Sequence, residues 1–257
     1  MSAAASSAAR LGPVLDGVRA VLLDIDDTLI DTRAAFGTAI DAVAEVYLPH
    51  LTTAEVAQAL EIWRADAQGF YRRHTAGELS AVEQRRLRAA EVHERFGGPP
   101  VDAALFEDWN AIFREGFAAG WRVHDDVVPL LDALDAAGVP FGALTNAPLA
   151  LSRDKFARTG LGERVAILVT LDTFGVGKPD PRLFREACRL LGTEPGETVY
   201  VGDELDVDGV GARRAGLRGV WLDRPGVRRG GVHLEDPAVA REAGVDVVTS
   251  LRGLLGE

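Results

Sequence analysis

Five short apolar runs punctuate the chain, at residues 18–23 (VRAVLL), 139–144 (VPFGAL), 165–170 (VAILVT), 198–201 (TVYV) and 219–222 (GVWL). None shows the polar alternation of a half-exposed strand, so each predicts a strand buried on both faces. Between the later runs, apolar positions recur at helical spacing over residues 126–137, 150–159, 181–191 and 207–215. Gly138, Gly160, Gly192 and Gly216 stand where left-handed C-caps belong. Strands and helices alternating at this interval predict an α/β fold, a Rossmann-like parallel sheet with helices on both faces.

Residues 32–121 have another texture. Phe36, Ile40, Val43, Ala44 and Tyr47 follow helical spacing, as do Val56, Leu60, Trp63 and Ala67, and then Leu105, Trp109, Ile112, Phe113 and Phe117. No strand pattern interrupts them. The expectation is an all-helical domain at 32–121, inserted into a core made of 18–31 and 122–257. Trp63, Trp109 and Trp121 fall in the insertion, and core packing of a small bundle accounts for them. Residues 1–17 open on an Ala/Ser stretch and are expected to form a flexible tail.

Composition narrows the function classes. With 28 Lys+Arg against 39 Asp+Glu, the chain carries a formal charge of −11. That argues against a nucleic-acid partner, whose phosphates select clustered cations. The single cysteine, Cys188, has no internal disulfide partner and fits a reducing, cytoplasmic setting. Cys188 also lies within a helical apolar pattern, as a small buried hydrophobe does. No uncharged stretch is long and unbroken enough to span a bilayer, so no membrane partner is expected. The first ten residues lack the apolar region of a secretory signal.

The sharpest chemistry follows the first strand, in Asp24-Ile25-Asp26-Asp27-Thr28. Ligands bind at the carboxyl ends of strands in open parallel sheets. Asp24 and Asp26, one alternation apart, would converge there. Two carboxylates about 4 Å apart repel by roughly 4 kcal/mol at an effective dielectric near 20, so gathering them calls for a shared proton or a cation. An aspartate at such a place also caps turns, and the motif alone leaves both readings open. A second strand end delivers Gly202-Asp203, with Glu204, Asp206 and Asp208 close behind, a set of hard oxygen donors suited to Mg²⁺. A third ends in Thr145-Asn146, donors for a phosphoryl oxygen or an ordinary helix cap. Lys178 sits between Gly177 and Pro179, pinned in a stiff loop where it can neutralise an anion. Competing motifs fail on inspection. Pro179 breaks a P-loop, Arg214 breaks a dinucleotide fingerprint, and no serine has the glycine two residues earlier that a nucleophile elbow needs.

Taken together, Asp24-Ile25-Asp26-Asp27-Thr28, Thr145, Lys178 and Gly202-Asp203 with Asp208 resemble the four motifs of the haloacid dehalogenase-like (HAD) hydrolase superfamily, in its phosphatase branch. The helical insertion is similar to that family's type-1 cap. The resemblance implies a Mg²⁺-dependent phosphatase acting on a small phosphorylated metabolite through an aspartyl-phosphate. Asp24 would be the nucleophile and Asp26 the acid/base. Asp24, the Asp26 carbonyl and Asp203 would hold the metal, while Thr145, Asn146 and Lys178 bind phosphate. Asp208 would support Lys178 or a metal-bound water, with Asp206 a weaker alternative, and Thr28 would tighten the turn. Arg64, Arg72, Arg73 and Trp63 are conceivable substrate contacts from the cap. The dehalogenase branch shares fold and nucleophile but needs neither metal nor the second aspartate, so Asp26 points to phosphate. A sugar phosphomutase and an inactive binding module remain alternatives. Neither the particular phosphomonoester nor the oligomeric state can be read from the sequence.

Overall fold

The computed structural model describes residues 10–230 and 233–256. In chain order the elements are β1 (Arg10–Leu11), β2 (Ala20–Leu23), α1 (Thr32–Tyr47), α2 (Thr53–Ala65), α3 (Phe70–Thr75), α4 (Ala81–Phe96), α5 (Ala103–Gly120), α6 (Val127–Ala137), β3 (Phe141–Leu144) and α7 (Leu149–Thr159). There follow β4 (Ile167–Val169), α8 (Pro181–Leu191), β5 (Thr198–Gly202), α9 (Val210–Ala215), β6 (Arg218–Leu222), α10 (Pro237–Glu242), β7 (Asp246–Val248) and β8 (Leu255–Gly256).

Six strands form one parallel sheet in the order β4-β3-β2-β5-β6-β7. All five apolar runs supply a strand, and the α/β architecture is the expected one. The two central strands are buried throughout, and their alternation sorts the core. Val21, Leu23, Val199 and Val201 join Leu130, Leu131 and Leu134 of α6 on one face. Leu22 and Tyr200 join Leu183, Phe184, Ala187 and Cys188 of α8 on the other. Each such aliphatic side chain removed from water contributes about 1.5–3 kcal/mol. Cys188 is the buried hydrophobe its sequence position suggested. Gly138, Gly160, Gly192 and Gly216 all have positive φ and cap their helices.

Strand order reverses between β2 and β5, because the chain first builds outward through β3 and β4 and then returns to the other side of β2. Splayed connections leave a crevice at that switch point, beyond the strands' carboxyl ends. Asp24 and Asp203 are the residues that follow these two strands.

Residues 32–121 carry five helices and no strand. Helices α1 and α5 pack backbone to backbone. A Cβ added at Gly116 would stand 2.9 Å from Ala39 Cα, and one at Gly120 only 2.5 Å from Ala35 Cα. Trp63, Trp109 and Phe113 stack beside this seam, with ring centroids 4.7 Å (Trp63–Phe113) and 5.0 Å (Trp109–Phe113) apart. All three tryptophans of this region are buried.

Three features were not expected. β7 and the β1–β8 pair are too short, at two or three residues, to leave a period in the sequence. Of the tail, residues 1–9 lie outside the described residues, but Arg10 onward is docked. β1 pairs antiparallel with β8, the Gly12 N–H donates to the Leu254 carbonyl at 2.9 Å, and Leu15 is buried. The segment expected as a helix from residue 207 begins instead as a π-turn, Leu205–Gly209, before α9.

Candidate active site

Asp24 leaves β2 with its backbone still held, its N–H donating to the Val201 carbonyl of β5 at 2.9 Å. Its carboxylate is buried and accepts from Lys178 Nζ at 2.5 Å. The same ammonium donates to Asp208 Oδ1 at 2.8 Å and to the Tyr200 hydroxyl at 2.7 Å, and that hydroxyl donates to the Leu144 carbonyl at 3.0 Å. Lys178 is thus fully engaged from three elements. Its loop is clamped by Asn146, whose Oδ1 accepts from the Lys178 N–H at 2.6 Å while its Nδ2 donates to the Lys178 carbonyl at 3.2 Å. Gly177 is required there, because a Cβ would meet Asn146 Oδ1 at 2.5 Å.

Asp208 reaches the site through the π-turn, which brings its carboxylate back under the end of β5. Its Oδ2 accepts from the Glu204 N–H at 2.9 Å. The carboxylate fills the space a side chain at Gly202 would need. Asp203 pairs with Arg229 at 3.2 Å, and Arg229 also donates to Glu204 Oε1 at 2.9 Å. Carboxylate oxygens of Asp24, Asp203 and Asp208 lie within 4.8 Å of one another.

Electrostatics follow from this crowding. Burial, with repulsion from Asp208 and Asp26, outweighs the pull of Lys178 and raises Asp24 to about pH 7. Burial lifts Asp203 well above the carboxylate range despite Arg229, with Glu204 adding to the rise. Lys178 runs the other way. Burial alone would lower it, but Asp208 and Asp24 hold its pKa well above normal. Six carboxylates (Asp24, Asp26, Asp203, Glu204, Asp208, Glu235) share three cations (Lys155, Lys178, Arg229). That excess of acid over base suits a divalent cation, which would lower both raised carboxylates again.

Two residues escaped the sequence reading. Lys155 of α7 is buried and pairs with Asp26 Oδ1. Helical periodicity gave no hint of it, yet a signal existed. Only two of the 28 basic residues are lysines, and both are buried against this site's aspartates. Arg229 comes from the loop after β6, where nothing marked it out.

Other expected residues need restating. The Thr28 hydroxyl makes no hydrogen bond, so it does not tighten the turn. Asp27 does, with Oδ1 accepting from Thr32 Oγ1 at 2.7 Å and the Arg33 N–H at 2.8 Å. Thr145 lines the site, and its hydroxyl also accepts from the Ala147 N–H at 3.1 Å, the cap it could equally have been. Asp206 pairs instead with Arg72 at 2.9 Å. Above these groups opens a cleft of about 980 Å³, lined from the helical region by Trp63, Arg64 and Arg72 among others. Arg73 is not among them; it is exposed and pairs with Glu78 at 3.3 Å.

Comparison with known proteins bears on the family and the fold. Residues 18–216 match the haloacid dehalogenase-like hydrolase family model. A Thermus thermophilus protein named phosphoserine phosphatase is 30% identical, covering 86% of this chain and 92% of its own. A Methanopyrus kandleri protein named glyceraldehyde 3-phosphate phosphatase is 31% identical, covering 80% and 84%. Among solved structures, a Deinococcus radiodurans HAD family hydrolase with bound phosphate and sodium superposes with a TM-score of 0.69, at 21% identity and 93% coverage of both chains.

Proposed function

The chain belongs to the haloacid dehalogenase-like hydrolases, and on that footing we propose that it is a phosphatase of small phosphomonoesters whose covalent chemistry is carried by Asp24. The observation that carries this reading is the meeting of Asp24, Asp203, Asp208 and Lys178 at the sheet's switch point, under a cleft of metabolite size.

Asp24 attacks phosphorus with a carboxylate oxygen. The bond from phosphorus to the ester oxygen breaks, and Asp26 gives its proton to the departing alcohol. Asp26 then takes a proton from water, whose oxygen attacks phosphorus, frees phosphate and returns Asp24. Lys155 fixes the Asp26 carboxylate and supplies compensating charge when it is ionised. Lys178 neutralises the transferring group next to Asp24, the largest electrostatic demand in phosphoryl transfer. The Asp24 and Asp203 carboxylates and the Asp26 main-chain carbonyl would hold Mg²⁺, which supplies Lewis-acid neutralisation of phosphoryl oxygens when bound. Relatives named as phosphatases of phosphoserine and glyceraldehyde 3-phosphate support a phosphorylated metabolite as substrate.

The test is phosphate release from a panel of phosphomonoesters with Mg²⁺, together with halide release from a 2-haloacid. Phosphate release should be abolished by EDTA, restored by Mg²⁺ and absent in Asp24→Asn. Halide release in EDTA would assign a dehalogenase instead, and isomerisation of a sugar phosphate without net release a mutase.

A further inference from the structure

The helical wall of the cleft carries two cations that no acid among the described residues pairs with. Arg85 projects from α4 and Arg114 from α5, and both line the cleft that Asp24 and Asp203 also line. Arg85 Nη1 donates to Asn110 Oδ1 at 2.8 Å, and Asn110 lines the cleft too. Among the described residues no carboxylate lies within 4.0 Å of either guanidinium. Other arginines lining the cleft have an acid: Arg72 has Asp206 at 2.9 Å, Arg158 has Asp154 at 2.9 Å and Arg88 has Asp66 at 3.7 Å. Burial, and after it the Arg114 charge, bring Arg85 down to about 10, so it stays cationic at neutral pH. Half-buried Arg85 gives up hydration without gaining a counter-ion, which costs stability, while exposed Arg114 adds its charge to the same wall.

We propose that Arg85 and Arg114, with the Asn110 amide, dock a second oxyanion on the substrate, so that the preferred esters carry a carboxylate or a second phosphate besides the group removed at Asp24. This rests on the phosphatase reading and adds a substrate class to it. The guanidinium fork suits bidentate oxyanion recognition, and the amide adds a neutral donor. Phe113 of α5 also lines the cleft, with the Arg85 guanidinium 6.0 Å from its ring centroid, and offers an apolar wall for the carbon skeleton joining the two anions.

Two matched pairs isolate the second anion: O-phosphoserine against phosphoethanolamine for a carboxylate, and fructose 1,6-bisphosphate against fructose 6-phosphate for a phosphate. With Mg²⁺ present, at least one pair should favour the more anionic member by about tenfold or more in kcat/KM, chiefly through KM. The pair that responds identifies the oxyanion. In Arg85→Gln and in the more exposed Arg114→Gln, that ratio should fall towards one. A purely structural role would lower both members in step and leave the ratio alone, which would overturn the proposal. So would ratios near one in the native enzyme while all four esters turn over. If neither these four nor p-nitrophenyl phosphate releases phosphate, the phosphatase reading itself fails and takes this one with it.

Discussion

In the proposed mechanism Asp26 serves twice, through a carboxylate that pairs with Lys155 and through its main-chain carbonyl as a ligand for Mg²⁺. These two roles separate by mutation. Asp26→Ala should retain Mg²⁺ binding by titration calorimetry while kcat falls about 10²–10⁴-fold, the usual contribution of a general acid/base. Lys155→Met removes the charge and keeps much of the volume. It should lower kcat by about tenfold or more with Mg²⁺ affinity little changed, measured by the same two assays. Gly202→Ala would displace the Asp208 carboxylate from Lys178, so turnover should collapse although the substitution is one methyl group. Asp24, Lys178 and Asp203 were legible because each lies in a loop or strand end whose place in a parallel sheet is set by topology. Lys155 was not, since a helix shows its period and not which carboxylate lies across from it.

At the scale of elements, the seam between α1 and α5 shows what small residues do. Gly116 and Gly120 face Ala39 and Ala35, and no Cβ fits at either glycine without backbone movement. Gly120→Ala should destabilise the protein by about 1–3 kcal/mol, the range for overpacking, read as a lower urea midpoint at unchanged m-value. The π-turn at Leu205–Gly209 shapes the candidate site in the same way. A regular helix from residue 207, as the apolar spacing suggested, would carry Asp208 on a different path. The wider turn, with the Gly209 N–H donating to the Glu204 carbonyl five residues back at 3.4 Å, returns the Asp208 carboxylate to the end of β5. One extra residue in a turn alters no hydrophobic period, so the sequence did not disclose it.

Across the whole molecule, Asp126 and Arg224 tie distant segments together. The guanidinium donates twice to Asp126, at 2.8 and 2.9 Å, and reaches the Thr28 carbonyl at 3.0 Å. Ser250 Oγ and the Leu251 N–H complete the carboxylate's shell at 2.7 and 2.9 Å. Burial would raise Asp126, but these donors win and depress it from 3.8 to about 2. A depressed carboxylate contributes stability that is full above its unfolded pKa and is lost as pH falls through the folded one. Roughly 2 kcal/mol should therefore disappear between about pH 4 and pH 2. Urea unfolding should show the native protein's advantage over Asp126→Asn shrinking across that window and constant above it.

The chain's own order of apolar runs, glycine caps and strand-end aspartates determined the parallel sheet, the helical insertion and the family chemistry, because periodicity and topology are carried by local composition. Only the tertiary structure decided which cations face which carboxylates. Lys155 meets Asp26 across 129 residues, Arg229 meets Asp203 from a separate loop, and Arg85 and Arg114 line the cleft with no carboxylate among the described residues within 4.0 Å. Such pairings depend on distances between side chains far apart in sequence, and a charge on one helix or loop holds no record of what lies opposite.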